Sequence, residues 1–362
     1  MEEIRMNVLD VQEGMMTSKD VINEEGIFLI PKDTIINKNH ILKLQLYQMN
    51  YVFVYERPVI DEAHKSIAPI EKTEKDIKIT QSKEFQGFIN KYISGVSSIE
   101  KEFSKVIDTA SISSESLTGV IDSFITETTN SQLFSYLCRV QTADDSTFSH
   151  SMNVSILATI LGKWLKWSEK DINNLSVAGL LHDIGKTKLD PAILNKKEPI
   201  TDAEYEYLKT HTTLGYKMVA QATLDNGIKQ AVLLHHEKMN GSGYPMKLNW
   251  DQVHKYAKVI SIVDIYDALT SDRPYHQRYH PLKAIQILEE EYYGVLETDY
   301  LYVFLENVAH NFLGNQVLLS TGEEARIIFI NSQSPSHPIV QTKSSKFIDL
   351  LSYDFIKIEK FL

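Results

Sequence analysis

Five histidines and two aspartates fall at helical spacing from apolar residues: His150, His182, His211, His235, His236, Asp183 and Asp264. His150 stands four residues before Val154 and seven before Leu157, so it shares their buried face. Leu175, Ala178, Gly179 and His182 follow the i, i+3, i+4, i+7 pattern, and Leu208, His211, Gly215 and Met218 share another face. His235 and His236 close the apolar run "IKQAVLLHH", and Asp264 lies on a stripe with Ala257, Ile260 and Ala268. Any one of these alone is an ordinary core histidine or helix cap. Seven together are not, because a buried ionisable group costs several kcal/mol unless it is paired or metal-bound. No comparable set of inward Lys or Arg exists to pair them. Imidazole with carboxylate is a ligand set for first-row metals such as Fe, Mn, Ni or Zn. Seven ligands exceed the needs of one ion, whereas two ions about 3.5–4 Å apart and sharing Asp183 would use them all.

These residues need helices to hold them, and the sequence supplies the punctuation. Ser168 with Asp171, and Thr201 with Glu204, have capping-box spacing. Gly185 is placed to end the helix carrying His182 in a left-handed cap. "ITDAEYEYLKTHTTLGYKM" reads as one helix. Upstream, residues 82–140 read as amphipathic helices, with Phe85, Phe88, Ile89, Tyr92 and Ile93 on one stripe. Near the N-terminus, "GIFLIPKDTII" and "YVFVYE" are β-prone, with helical spacing in "NKNHILKLQLYQ" between them. After Asn311, "NQVLLSTGEEARIIFINSQSP" reads as two strands around a Thr-Gly turn. The expected fold is therefore mainly α. It has a β-rich module at 1–60, a linker with amphipathic helices at 61–140, a helical domain carrying the seven residues at 141–310 and a β-rich segment at 311–362.

From about Asp144 to Tyr279 the chain resembles the HD-GYP phosphodiesterases, the branch of the HD metal-dependent phosphohydrolases that hydrolyses cyclic di-GMP. The motifs that carry the resemblance are "HSMNV", "LLHDIGK", "HTTLG", "HHEKMNGSGYP" and "VDIYDALTSDRPY", in the family's order. The resemblance implies a helical HD-domain bundle. It also implies that His150, His182, Asp183 and Asp264 hold one metal, and that Asp183 bridges to a second held by His211, His235 and His236. Lys186, Arg273 and the Gly243-Tyr244-Pro245 loop would then face the substrate.

The chemistry of a phosphodiester fits that assignment. It needs a strong nucleophile and neutralised non-bridging oxygens, and paired divalent ions supply both. Lys186 follows Asp183 by three residues and brings a point charge to the same mouth. Arg273, in "SDRPY", offers a guanidinium fork for a phosphate. Glycines 241 and 243 would let the loop approach the substrate, and Tyr244 could stack on a base. Three positions depart from the family's pattern. Asn240 replaces Asp at the start of the loop, where it can still cap. His276 replaces an Arg or Lys near the phosphate, weakening the positive rim. Ser146 stands where some relatives have a metal-binding Glu, so two ions are expected rather than three.

A formal net charge of −11 argues against a partner as long as a nucleic acid held on a basic surface. The single cysteine, Cys138, excludes an intramolecular disulfide and suits a reducing compartment. No apolar run reaches a membrane span, and the N-terminus lacks a signal-peptide pattern, which predicts a cytoplasmic protein. The expected function is hydrolysis of cyclic di-GMP to pGpG and on to GMP, with a homodimer and signalling partners at the flanking modules. Two rivals stand beside it: a non-catalytic cyclic-dinucleotide sensor, and a hydrolase of another cyclic dinucleotide.

Overall fold

The apolar run that follows His150 folds into a helix buried on nearly every side, and the rest of the larger unit is arranged around it. In the computed structural model, residues 78–362 are described except 110–113, 126–127, 141–146, 197–199, 272–277 and 354. Of the first 55, residues 3–8, 11, 15–22, 28–32, 34, 36, 40–41, 44, 49 and 51–55 are described. The chain divides into two units, Met1–Glu71 and Lys72–Leu362.

In the first unit, strand β1 (Glu3–Asn7) pairs antiparallel with β4 (Tyr51–Tyr55), and β2 (Val21–Ile22) with β3 (Phe28–Ile30). Alternation along β4 turns Val52 and Val54 inward, where they join Val21, Ile30, Ile36 and Leu44 in a small core. The stretch read as helical between these strands lies largely outside the described residues.

The second unit opens with α1 (Lys83–Thr109), α2 (Ser114–Ile125) and α3 (Asn130–Leu137). Phe85, Phe88 and Tyr92 are buried as read, but Ile93 is 57% exposed. At 100° per residue Ile93 falls about 80° from Phe85, beyond the edge of the stripe. Next come α4 (Thr147–Trp164), α5 (Glu169–Leu181), a 3-10 turn (Ile184–Lys188) and the short α6 (Pro191–Leu194). They are followed by α7 (Asp202–Lys209), α8 (His211–Val219), α9 (Asn226–Leu234) and α10 (Lys255–Thr270). Helices α11 (Pro281–Tyr292) and α12 (Thr298–His310) complete the helical part.

Both capping expectations appear as built caps. Ser168 accepts from the Asp171 amide, and Thr201 and Glu204 form a reciprocal box. Helices α4 and α5 meet at backbone distance: a Cβ on Gly179 would lie 2.6 Å from Cα of Ser155. That contact sets His150 and His182 side by side.

Two local expectations are corrected. The segment from Asp202 to Val219 is two helices broken at Thr210, not one. Gly185 is not a left-handed cap, since α5 ends at Leu181 and Gly185 continues into the 3-10 turn. Its need is steric instead: a Cβ there would sit 1.9 Å from the carbonyl oxygen of His211. The turn carrying Asp183 thus packs directly on the start of α8.

Five antiparallel strands end the chain in the order β8-β7-β6-β5-β9. They are β5 (Gln316–Leu319), β6 (Glu324–Phe329), β7 (Ile339–Thr342), β8 (Phe347–Asp349) and β9 (Ile358–Phe361). Gly322, at φ +80°, forms the turn between β5 and β6. Val317, Leu319, Ile327, Val340 and Ile348 belong to the same core as the helices, and the Phe361 ring stacks on His280 at 3.8 Å. Among the described residues no helix is long and apolar enough to cross a membrane.

Candidate metal centre

All seven residues singled out by spacing converge. His182 caps α5, and Asp183 heads the 3-10 turn that follows. His150 comes from α4, His211 from the first turn of α8, His235 and His236 from the end of α9, and Asp264 from α10. His182, Asp183, His211 and His235 are at most 3% exposed, and His150 and Asp264 are each 9% exposed.

Asp183 sits at the middle, and its two oxygens face different neighbours. Oδ2 lies 3.4 Å from Nε2 of His150 and 3.3 Å from Nε2 of His182. Asp264 Oδ1 completes that group, 3.1 Å from His150 Nε2. Oδ1 of Asp183 lies 3.4 Å from Nε2 of His211 and 4.0 Å from Nε2 of His235. His211, His235 and His236 make the second group.

The imidazoles are oriented from behind. Nδ1 of His182 donates to the carbonyl of Gly179 at 2.8 Å, that of His211 to Leu208 at 2.7 Å and that of His235 to Ala231 at 3.1 Å. With the proton on Nδ1, each Nε2 presents a lone pair to the centre. The lone pairs of His211 and His235 face each other at 3.4 Å, an arrangement that a cation relieves. Nε2 of His150, Nε2 of His182 and Oδ1 of Asp183 are buried without a hydrogen-bond partner, while Oδ2 of Asp183 meets the Lys186 ammonium from the edge of the centre. Buried polar atoms are rarely left so. The donor set and its orphaned atoms fit two divalent ions.

Residues 127–293 match the HD domain family. A 206-residue stretch is 32% identical to the cyclic di-GMP phosphodiesterase PA4108 of Pseudomonas aeruginosa, covering 57% of this chain and 50% of that protein. The 3'3'-cGAMP-specific phosphodiesterase 3 of Vibrio cholerae is 31% identical over 153 residues, 42% of this chain and 33% of that protein. The chain therefore spans half or less of the length of these curated relatives. Bd1817, an HDG"Y"P protein from Bdellovibrio bacteriovorus, shares the fold at a TM-score of 0.51 and 16% identity, over 84% of this chain and 98% of that one.

Electrostatics divide the cluster in two. Burial pushes His211 down, His235 well below its usual range and His236 to about 3, so these three are neutral. Burial acts the same way on His150, but Asp183, Asp264 and Asp267 outweigh it and hold that imidazole at about 10. For Asp183, burial is opposed by the Lys186 ammonium and by His182, which keep the carboxyl well below the usual carboxylate range. Asp264 is likewise held low against burial, chiefly by His150.

Of the residues expected at the mouth, Lys186 places Nζ 2.5 Å from Asp183 Oδ2, with its side chain 23% exposed. The Tyr244 ring stacks on His236 at 4.7 Å between centroids. Gly243 is buried against its own chain: a Cβ would meet Cα of Glu237 and the carbonyl oxygen of His236 at 2.5 Å. The loop's packing on the histidine-bearing segment therefore requires a glycine here. Asn240 caps that loop through the Ser242 amide, as its chemistry allows. Arg273, His276 and Ser146 lie outside the described residues.

Two buried carboxylates escaped the sequence reading. Asp267 Oδ2 accepts from Nδ1 of His150 at 2.7 Å. Its signal was available, because Asp267 follows Asp264 by three residues and so shares its side of α10. Glu237, wholly buried, accepts the backbone amides of Met246 and Lys247 at 2.7 and 2.9 Å and of Leu248 at 3.2 Å. It folds the loop of Tyr244 back over the histidines. It stands beyond the end of α9, where no helical period could mark it.

Proposed function

We propose that this HD domain is a metal-dependent phosphodiesterase that opens cyclic di-GMP to linear pGpG, with GMP the product of a second cut. One observation carries the reading: the two buried oxygens of Asp183 are turned toward two separate groups of ligand atoms. Bound divalent ions, iron or manganese with nickel or zinc as alternatives, would supply Lewis acidity at the phosphate and acidify a water.

The chain's own residues have distinct parts. His150, His182 and Asp264 hold one position, His211, His235 and His236 the other, and Asp183 spans both. Lys186 keeps a positive charge at the edge of the centre, where a non-bridging phosphate oxygen can share it with Asp183. Arg273 and His276, by their sequence position, contact the phosphates. Tyr244 offers an aromatic face at the mouth, and the Glu237-held loop fixes where that face lies.

Likeness to the cyclic di-GMP phosphodiesterase of P. aeruginosa supports that substrate. Likeness to the 3'3'-cGAMP-specific enzyme of V. cholerae favours a second reading, in which the mixed cyclic dinucleotide is the better substrate. Turnover of cyclic di-GMP, 3'3'-cGAMP and cyclic di-AMP by the metal-loaded protein, followed by chromatography of products, separates them. Faster opening of cyclic di-GMP supports the first reading, and preference for 3'3'-cGAMP the second. No turnover of any of the three would reject both.

A further inference from the structure

The four buried imidazoles of the centre are not held alike. His182, His211 and His235 lean on neutral backbone carbonyls, whereas His150 leans on a carboxylate, Asp267. Asp267 is 4% exposed, and α10 brings it and Asp264 to opposite nitrogens of the same ring: Asp264 Oδ1 at 3.1 Å from Nε2, Asp267 Oδ2 at 2.7 Å from Nδ1. The group of His150, His182 and Asp264 thus has two carboxylates beyond its share of Asp183. Among the described residues, the group of His211, His235 and His236 has only its share of Asp183 within ion-pair distance, apart from Asp264 Oδ2 at 4.0 Å from Nδ1 of His236. In a buried, weakly screened centre, an extra negative charge within a few ångströms of a divalent cation weighs heavily. A carboxylate behind a histidine also fixes its ring and raises its basicity as a ligand.

We infer that the two metal positions are unequal, and that Asp267 is the positioning residue that makes them so. The position at His150, His182 and Asp264 fills first and empties last, and the all-histidine position exchanges its ion readily. The inference rests on reading the cluster as a two-ion centre and not on the identity of any substrate.

Manganese(II) titrated into the metal-free full chain tests it, with binding followed by calorimetry and the spin state of the bound ions by electron paramagnetic resonance. The wild type is expected to bind in two steps, the first giving an uncoupled single-ion signal and the second a coupled pair. Asp267→Ala should weaken the first step by about 10–100-fold and draw the two steps together. Asp267→Asn retains an acceptor oxygen for Nδ1–H without the charge, and its first step should fall between the two. Equal steps in the wild type would overturn the inference, as would a wild-type isotherm in Asp267→Ala. If Asp267→Ala does not fold, Asp267→Asn decides: an isotherm identical to the wild type overturns the inference. A wild type that binds no manganese at all would instead remove the metal centre on which the inference stands.

Discussion

Lys186 illustrates how one side chain divides its work. Its ammonium lies 2.5 Å from the carboxylate that both ligand groups share, yet nearly a quarter of the side chain remains exposed. It compensates Asp183 from the edge without belonging to either group of ligand atoms. Lys186→Ala should therefore leave metal content close to wild type and raise KM for the dinucleotide about 10–100-fold, the loss of one charge-assisted contact of roughly 1.5–3 kcal/mol. Loss of bound metal in that variant, measured by elemental analysis, would contradict this division. At this scale the sequence was informative wherever a period existed. His150, His182, His211 and Asp264 were visible because each repeats with apolar neighbours. Asp267 lies three residues past Asp264 on the same side of the helix, yet it was not among the seven residues marked by spacing. Glu237 could not be seen, because its three amide partners come from a loop whose path no pattern specifies.

The elements meet at a few tight contacts that keep the ligands in register. Gly185 is the tightest, with the start of α8 against the turn that carries Asp183. In Gly185→Ala the added Cβ meets a backbone carbonyl that cannot swing aside, so His211 must move away from Asp183. A fall in Tm worth about 1–3 kcal/mol of overpacking, together with weaker metal retention, is expected. An unchanged Tm and metal content would show that the contact has slack. A second tie joins α5 to α10: Asp171 accepts from Lys255 and from the hydroxyl of Tyr256. Lys255, Tyr256 and Ser168 hold its carboxyl down at about 2. Because the folded value lies below the ordinary one of about 4, the stabilisation is present above pH ~4 and lost as pH falls toward 2. Melting of Asp171→Asn beside the wild type should thus show a Tm deficit at neutral pH that narrows below pH 4. A deficit that stays constant would assign the effect to something other than this charge. Caps and helix faces were legible because they are local. The break at Thr210 and the role of Gly185 were not, because both depend on what packs across from them.

Across the whole molecule, the helices present ligands from α4, α5, the following turn, α8, α9 and α10 to one buried point. The division into helical and β-rich stretches was legible from periodicity, as were the strands on either side of the Thr321-Gly322 turn. That the C-terminal strands share one core with the helices was not, since an apolar stripe does not name its partner. The claim that unites these scales is that Asp183 joins two metal positions and that phosphodiester hydrolysis depends on both. Elemental analysis of the metal-loaded wild type and of Asp183→Ala, with cyclic di-GMP turnover followed on the same samples, tests it most directly. The wild type should hold about two ions per chain, the count a shared carboxylate implies. In Asp183→Ala both ions and turnover should fall together, while the helical circular dichroism persists. An Asp183→Ala protein that keeps its ions and its turnover would contradict the account.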